Sequence, residues 1–177
     1  MNRTIQLTVN GEAHELSVEP RETLLEILRR RLDLTGTKLG CDQQVCGACT
    51  VLMDGLPVSS CSVLGVDAAD SDILTIEGLA SNGELHPIQR AFIEHGAFQC
   101  AYCTSGLILA VKVLLDQLPS ADDERIRHFL AGNICRCGCH MEILAAVRAL
   151  LQHRDKSRTE SGARSQESEA TMKSMKS

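Results

Sequence analysis

Cys41, Cys46, Cys49 and Cys61 form one constellation, inside the stretch GCDQQVCGACTVLMDGLPVSSC. Cys100 and Cys103, followed later by Cys135, Cys137 and Cys139, form a second that ends in NICRCGCH. Thiols this dense bind metal, close disulfides or expose a redox-active sulfur. The chain has nine cysteines, an odd count, so a disulfide framework would leave one thiol over. Its first residues, MNRTIQLTVNGEAHELSV, alternate apolar and polar side chains and lack the apolar run of a signal peptide. The chain therefore reads as cytoplasmic. In that compartment thiols stay reduced, and metal or cluster ligation is the stronger reading.

The first constellation is spaced C-x4-C-x2-C-x11-C, and its first three positions match the plant-type [2Fe–2S] loop. Gly40 and Gly47 are expected to let the backbone pass close to a cluster, so that N–H groups can reach its sulfurs. Zinc sites usually pair their cysteines as C-x2–4-C twice over, which this triplet fits poorly. The second constellation reads C-x2-C, then 31 residues, then C-x-C. Its spacing alone admits zinc as well as a cluster. Cys100 and Cys103 are expected at the start of an apolar helix, and Cys135 and Cys137 in the turn before another. Helix N-termini offer unpaired N–H groups and a positive dipole end, which favour an anionic thiolate-bound group. Cys139 is expected as a thiol behind the ligands or packed in a first helical turn, the alternatives being a ligand in place of Cys137 or a redox-active thiol.

The elements that must position these thiols are of two kinds. Residues 3–9 and 13–18 alternate like two strands joined by a turn at Asn10-Gly11. Leu24, Leu25, Ile27, Leu28 and Leu32 recur at helical spacing through Arg29-Arg30-Arg31, which is expected as a solvated face or partner contact. TVLMDG, LPVSSCSVL and ILTIEGL read as further strands. Beyond Ser81-Asn82-Gly83 the periodicity becomes helical. Helices are expected from His86-Pro87 to Gly96, with Ile88, Phe92 and Ile93 as the apolar stripe, and from Thr104 to Leu118. Two more are expected, one with its N-cap and acidic first turn over Ser120-Ala121-Asp122-Asp123 and running to Gly132, the other from Gly138 to Gln152. His86, His95 and His128 are expected as capping or core-edge residues. The reading is α+β: residues 1–80 form one domain, 81–152 a small helical bundle, and 153–177 a disordered polar tail without Leu, Ile, Val or aromatic residues.

The formal net charge of −5 gives no footing for a polyanionic partner such as nucleic acid. No stretch reaches the roughly 18 apolar residues needed to span a bilayer.

Taken together, TGTKLGC, CGACTV, HPIQRAF, QCAYCTSG and NICRC resemble the iron–sulfur small subunit of the molybdenum hydroxylases, the family of xanthine dehydrogenase and carbon monoxide dehydrogenase. The resemblance runs over about residues 3–152. It implies an N-terminal β-grasp [2Fe–2S] ferredoxin-like domain and a C-terminal four-helix bundle carrying a second [2Fe–2S] cluster. It assigns Cys41, Cys46, Cys49 and Cys61 to the cluster nearer the flavin, and Cys100, Cys103, Cys135 and Cys137 to the one nearer the molybdenum. Gln99 matches a glutamine that hydrogen-bonds the pterin cofactor.

The implied partners are a large subunit with a molybdenum-pterin dinucleotide and a medium FAD subunit or other acceptor, in a dimer of heterotrimers. The implied function is relay of electrons from the molybdenum site to the flavin, with no catalytic residue on this chain. Ala101 and Gln44 stand where the family often has glycine, and Ser105 where it often has proline. Gly138-Cys139-His140 replaces a common Thr-Gly-Tyr. The rival readings are a free-standing two-cluster ferredoxin and a zinc-bearing regulatory module.

Overall fold

The computed structural model describes residues 1–154, and the tail expected from 153 falls, beyond Arg154, outside the described residues. The chain opens with β1 (Arg3–Val9) and β2 (Glu12–Val18), antiparallel from Arg3↔Val18 to Val9↔Glu12. Asn10 and Gly11 turn between them with φ of 52° and 84°, left-handed values that Asn and Gly tolerate best. Thr23 then caps α1 (Leu24–Glu26) in a reciprocal box with Glu26. The helix widens at once into a π turn over Ile27–Arg31, where Leu32 N–H reaches Ile27 O at 3.2 Å.

β3 (Thr50–Met53) and β4 (Leu56–Ser59) form the second hairpin, and β5 (Asp72–Leu74) completes a mixed sheet in the order β2-β1-β5-β3-β4. β5 runs parallel to β1 and antiparallel to β3. The strand expected over ILTIEGL ends at Leu74. Asn10 takes the Thr75 N–H on its Oδ1 at 2.9 Å, and Ile76–Gly78 coil into a 3-10 turn. Ile5, Leu7, Val9, Leu24, Ile27, Leu28, Val51 and Ile73 bury together between sheet and helix.

The remainder is helical: α2 (Pro87–Glu94), α3 (Thr104–Gln117), α4 (Asp123–Leu130) and α5, helical over 140–154. His86 caps α2 as expected, accepting the Ile88 N–H on Nδ1, and Asp122 caps α4 by accepting the Arg125 N–H at 2.9 Å. Ile93, expected on the apolar stripe of α2, is 55% exposed. The stripe is Ile88, Ala91 and Phe92, and Ile93 lies one residue, about 100°, off it. α5 extends two residues past the expected Gln152, because the Arg154 guanidinium donates to Leu115 O and to Asp116 at the end of α3. Arg148 pairs with Asp123, tying α5 to α4.

Leu107, Val111, Leu114, Ile126, Ile143 and Val147 are in the core of this half, with Phe92 beneath them. Leu52 of β3 packs against Leu109 and Val113 of α3, joining the two halves through apolar contact. Among the described residues no helix is long and apolar enough to cross a membrane.

Candidate metal centres

The loop from Gly36 to Cys49 carries three of the first four thiols and is held from several sides. Arg29, expected as a solvated charge, donates Nη1 to Thr35 O and Thr37 O at 2.7 Å each. It therefore secures the segment leading to Cys41. Glu77 accepts the Gly36 N–H at 2.7 Å from the far side. Within the loop, Asp42 and Gln44 adopt φ of 56° and 58°. That winding turns the N–H groups of Gln43, Val45 and Cys46 onto Cys41 Sγ at 3.4, 3.3 and 3.3 Å. Three donors converging on one sulfur lower its pKa to about 7. A Cβ at Gly40 would lie 2.7 Å from Cys46 Sγ, so a larger residue there would have to displace that sulfur.

Cys49 and Cys61, either side of the β3–β4 hairpin, are buried together beside Leu25. Burial, followed by the neighbouring Cys61, pushes Cys49 up to about 11.

The second set lies where α3 and α5 begin. Cys103 is the N-cap of α3, and Cys137 Sγ donates to Cys100 Sγ at 3.4 Å. Cys103 pairs with Cys135, and burial and that pairing push Cys103 up to about 12. Burial alone would also raise Cys135. The N–H groups of Cys139, Cys137 and Gly138 and the Cys103 thiol outweigh it and lower its pKa. Cys100 is lowered by the Tyr102 N–H and the Cys137 thiol. Ala101 holds φ of 60°. Ala101 and Gln44 thus both occupy left-handed backbone, the region glycine enters most readily.

The thiols thus lie in two neighbourhoods, Cys41, Cys46, Cys49 and Cys61 in one and Cys100, Cys103, Cys135, Cys137 and Cys139 in the other. Each set approaches as two sulfur pairs, and among the described residues no three or more His, Cys, Asp or Glu side chains close on a single-ion site.

The residues fit an iron–sulfur group. Eight thiols stand in two sets, with backbone N–H groups aimed at their sulfurs, and such donors stabilise an anionic thiolate–sulfide unit. Thr104 Oγ1 and Ser105 Oγ, next to Cys103, are buried without a hydrogen-bond partner among the described residues. Gln99 is exposed, and its Nε2 donates to Cys137 O at 3.4 Å. Arg136 and His140 are exposed, and Cys139 is buried.

The two sets are also clasped to each other. Ile134 N–H donates to Cys46 O at 2.9 Å, and Tyr102 Oη to Leu39 O at 2.6 Å. Asn133 Nδ2 donates to Gly47 O at 3.0 Å and Thr50 Oγ1 at 3.2 Å. Gly47 makes room for this contact. A Cβ there would overlap Gly132 O and the Asn133 amide, and its φ is 67°. Asn133→Ala should lower the stability of the full chain by about 1–2 kcal/mol, two modest net hydrogen bonds. Asn133→Asp should cost more, since a carboxylate oxygen would face the Gly47 carbonyl. Thermal denaturation of the two variants checks the order.

Comparison with known proteins decides the family. Residues 7–75 match the model of the 2Fe-2S iron-sulfur cluster binding domain, and residues 75–148 that of the [2Fe-2S] binding domain. A nicotinate dehydrogenase subunit of Pseudomonas putida is 49% identical over 156 residues, covering 88% of this chain and 99% of the relative. The nicotinate dehydrogenase small FeS subunit of Eubacterium barkeri is 47% identical, covering 84% and 95%. The chain belongs to the iron–sulfur subunits of the molybdenum hydroxylases.

The crystal structure of quinoline 2-oxidoreductase from Pseudomonas putida 86 superimposes with a TM-score of 0.80 at 40% identity, covering 82% of this chain and 90% of that one. The function of this family is electron transfer through [2Fe–2S] clusters within larger oxidoreductases, and a free-standing ferredoxin is not favoured. Cys41 offers a local check. In cluster-free chain, iodoacetamide should label Cys41 with a midpoint near pH 7 and Cys49 only near pH 11, because the thiolate is the nucleophile. Equal labelling of both around pH 8.5 would contradict the convergence of N–H groups on Cys41.

Proposed function

We propose that Cys41, Cys46, Cys49 and Cys61 hold one [2Fe–2S] cluster and Cys100, Cys103, Cys135 and Cys137 the other, one sulfur pair to each iron. When bound, such clusters accept and release single electrons at constant ligation. In this reading residues 1–80 are a β-grasp ferredoxin-like domain, 81–152 a four-helix bundle, and the site of action is the cytoplasm. The large subunit carries molybdenum-pterin dinucleotide, with Gln99 directed to the pterin. The medium subunit carries FAD, and the whole forms a dimer of heterotrimers. Electrons leave the molybdenum site, cross this chain and reach the flavin.

The observation that carries the reading is the Ile134 N–H bond to Cys46 O. It places residue 134, adjacent to Cys135, against a member of the other set. Two thiol sets joined by one backbone hydrogen bond suit relay between two centres. Four thiolates fully ligating each cluster would leave no open position for substrate, so this chain's contribution is to bind, orient and tune.

Purification of the tagged chain from its native host tests the assembly. Molybdenum, pterin and flavin should co-elute with it, and N-heteroaromatic compounds and aldehydes are the substrates to screen. A chain recovered alone, with no molybdenum protein, would overturn the assembly.

A further inference from the structure

Glu77 belongs to neither thiol set, yet its carboxylate makes two short hydrogen bonds to different parts of the fold. It lies in the 3-10 turn Ile76–Gly78. Oε1 accepts the Gly36 N–H at 2.7 Å, and Oε2 accepts the Thr75 hydroxyl at 2.6 Å. Thr75 is fully buried and is fixed by Asn10 at the first hairpin turn. Asn10 Oδ1 accepts its N–H at 2.9 Å, and Asn10 Nδ2 donates to its Oγ1 at 3.0 Å. The carboxylate is thereby braced against the sheet. The loop presses on it closely, since a Cβ on Gly36 would overlap Ile76 Cγ2 and Glu77 Oε1. Arg29 takes the same peptide from its other edge. Thr35 O, held by Arg29, and the Gly36 N–H, held by Glu77, share one trans peptide and so point in opposite directions. Both bonds involve a charged group and are stronger than neutral ones. This peptide is the entry to the winding that aims the N–H groups of Gln43, Val45 and Cys46 at Cys41 Sγ.

We propose that Glu77 is a positioning residue of the first cluster: with Arg29 it fixes the entry to the Cys41 loop, so that the loop's N–H groups stay on the ligand sulfur and keep that cluster's reduction potential raised. The sign follows from charge. Reduction adds an electron to an already anionic unit, and donors at a ligand sulfur stabilise the reduced form more than the oxidised form. A loop freed at its entry loses part of that donation. Its cluster then becomes harder to reduce. The proposal rests on Cys41 being a cluster ligand.

Potentiometric titration of the full chain, followed by EPR, tests it. A parent chain showing only one cluster signal, or none, would bring down the ligand reading and the proposal together. With two signals present, the one that survives Cys137→Ser is assigned to the first cluster. Glu77→Ala should shift the midpoint of that signal to more negative potential and leave the other unmoved. Glu77→Gln, whose amide oxygen can still accept the Gly36 N–H, should stay near the parent value. Thr75→Val keeps Glu77 and the buried volume but removes the bracing hydroxyl. It should shift the same midpoint the same way by a smaller amount, and it decides the matter if Glu77→Ala does not fold. Lower thermal stability with both midpoints unmoved, equal shifts of both, or a Gln variant indistinguishable from Ala would overturn the proposal and leave the ligand sets standing.

Discussion

Replacing Cys137 with serine should remove about two irons per chain and one of two reduced-state EPR signals, while Cys139→Ser keeps both signals. The reason is geometric. Cys137 Sγ lies 3.4 Å from Cys100 Sγ, and this pair matches the Cys103–Cys135 pair beside it. Cys139 is buried in the helical core with Ile143 and Leu144. A serine at 137 offers a hydroxyl that gives up its proton far less readily than a thiol, so one iron loses its ligand. At 139 the same change only exchanges one weak donor for another. Iron analysis and EPR on the two purified variants read the result, and the reverse pattern would make Cys139 the ligand in place of Cys137.

Gly106→Ala should destabilise the full chain, against the ordinary trend for a helix. Inside α3 this change should gain about 1 kcal/mol of helix propensity. A Cβ at that position, however, would overlap the carbonyl oxygen of Gly47, a backbone atom that cannot rotate away. Gly47 is also gripped by Asn133, and its neighbour Cys46 by Ile134. The loop can yield only by dragging Cys46 and Cys49 with it. Overpacking typically costs about 1–3 kcal/mol and here outweighs the propensity gain. Thermal denaturation should show a lower midpoint, and the EPR signal of the first cluster should broaden or shift while that of the second changes less. A raised midpoint with both signals unaltered would mean that the two halves do not press on each other at this point.

Much of the site was legible because ligand spacing is a local property. C-x4-C-x2-C and C-x-C describe sulfurs that one loop must present together, and the structure does gather those residues. The hairpin at Asn10-Gly11 and the cap at His86 were legible for the same reason, since turn and cap chemistry involves neighbours in sequence. What joins the two sets was not. Asn133 finds Gly47 across 86 positions, and Tyr102 finds Leu39 across 63. Gly106 in an apolar helix carries no sign that another backbone will lie against it. Arg29 looked like a surface charge because the carbonyls it holds belong to an irregular loop with no periodicity to reveal them. The strand assigned to ILTIEGL stops after Leu74 because Thr75 N–H turns to Asn10 and Glu77 takes the Gly36 N–H, a demand that an apolar pattern does not encode.

The central claim is that one short chain holds two [2Fe–2S] clusters for electron relay. Anaerobic reduction of the purified protein, with iron and sulfide analysis and quantitative EPR on one sample, tests it most directly. About four irons and four sulfides per chain, with two distinguishable signals that together approach two spins, are expected. A single signal with one zinc bound per chain would contradict the account.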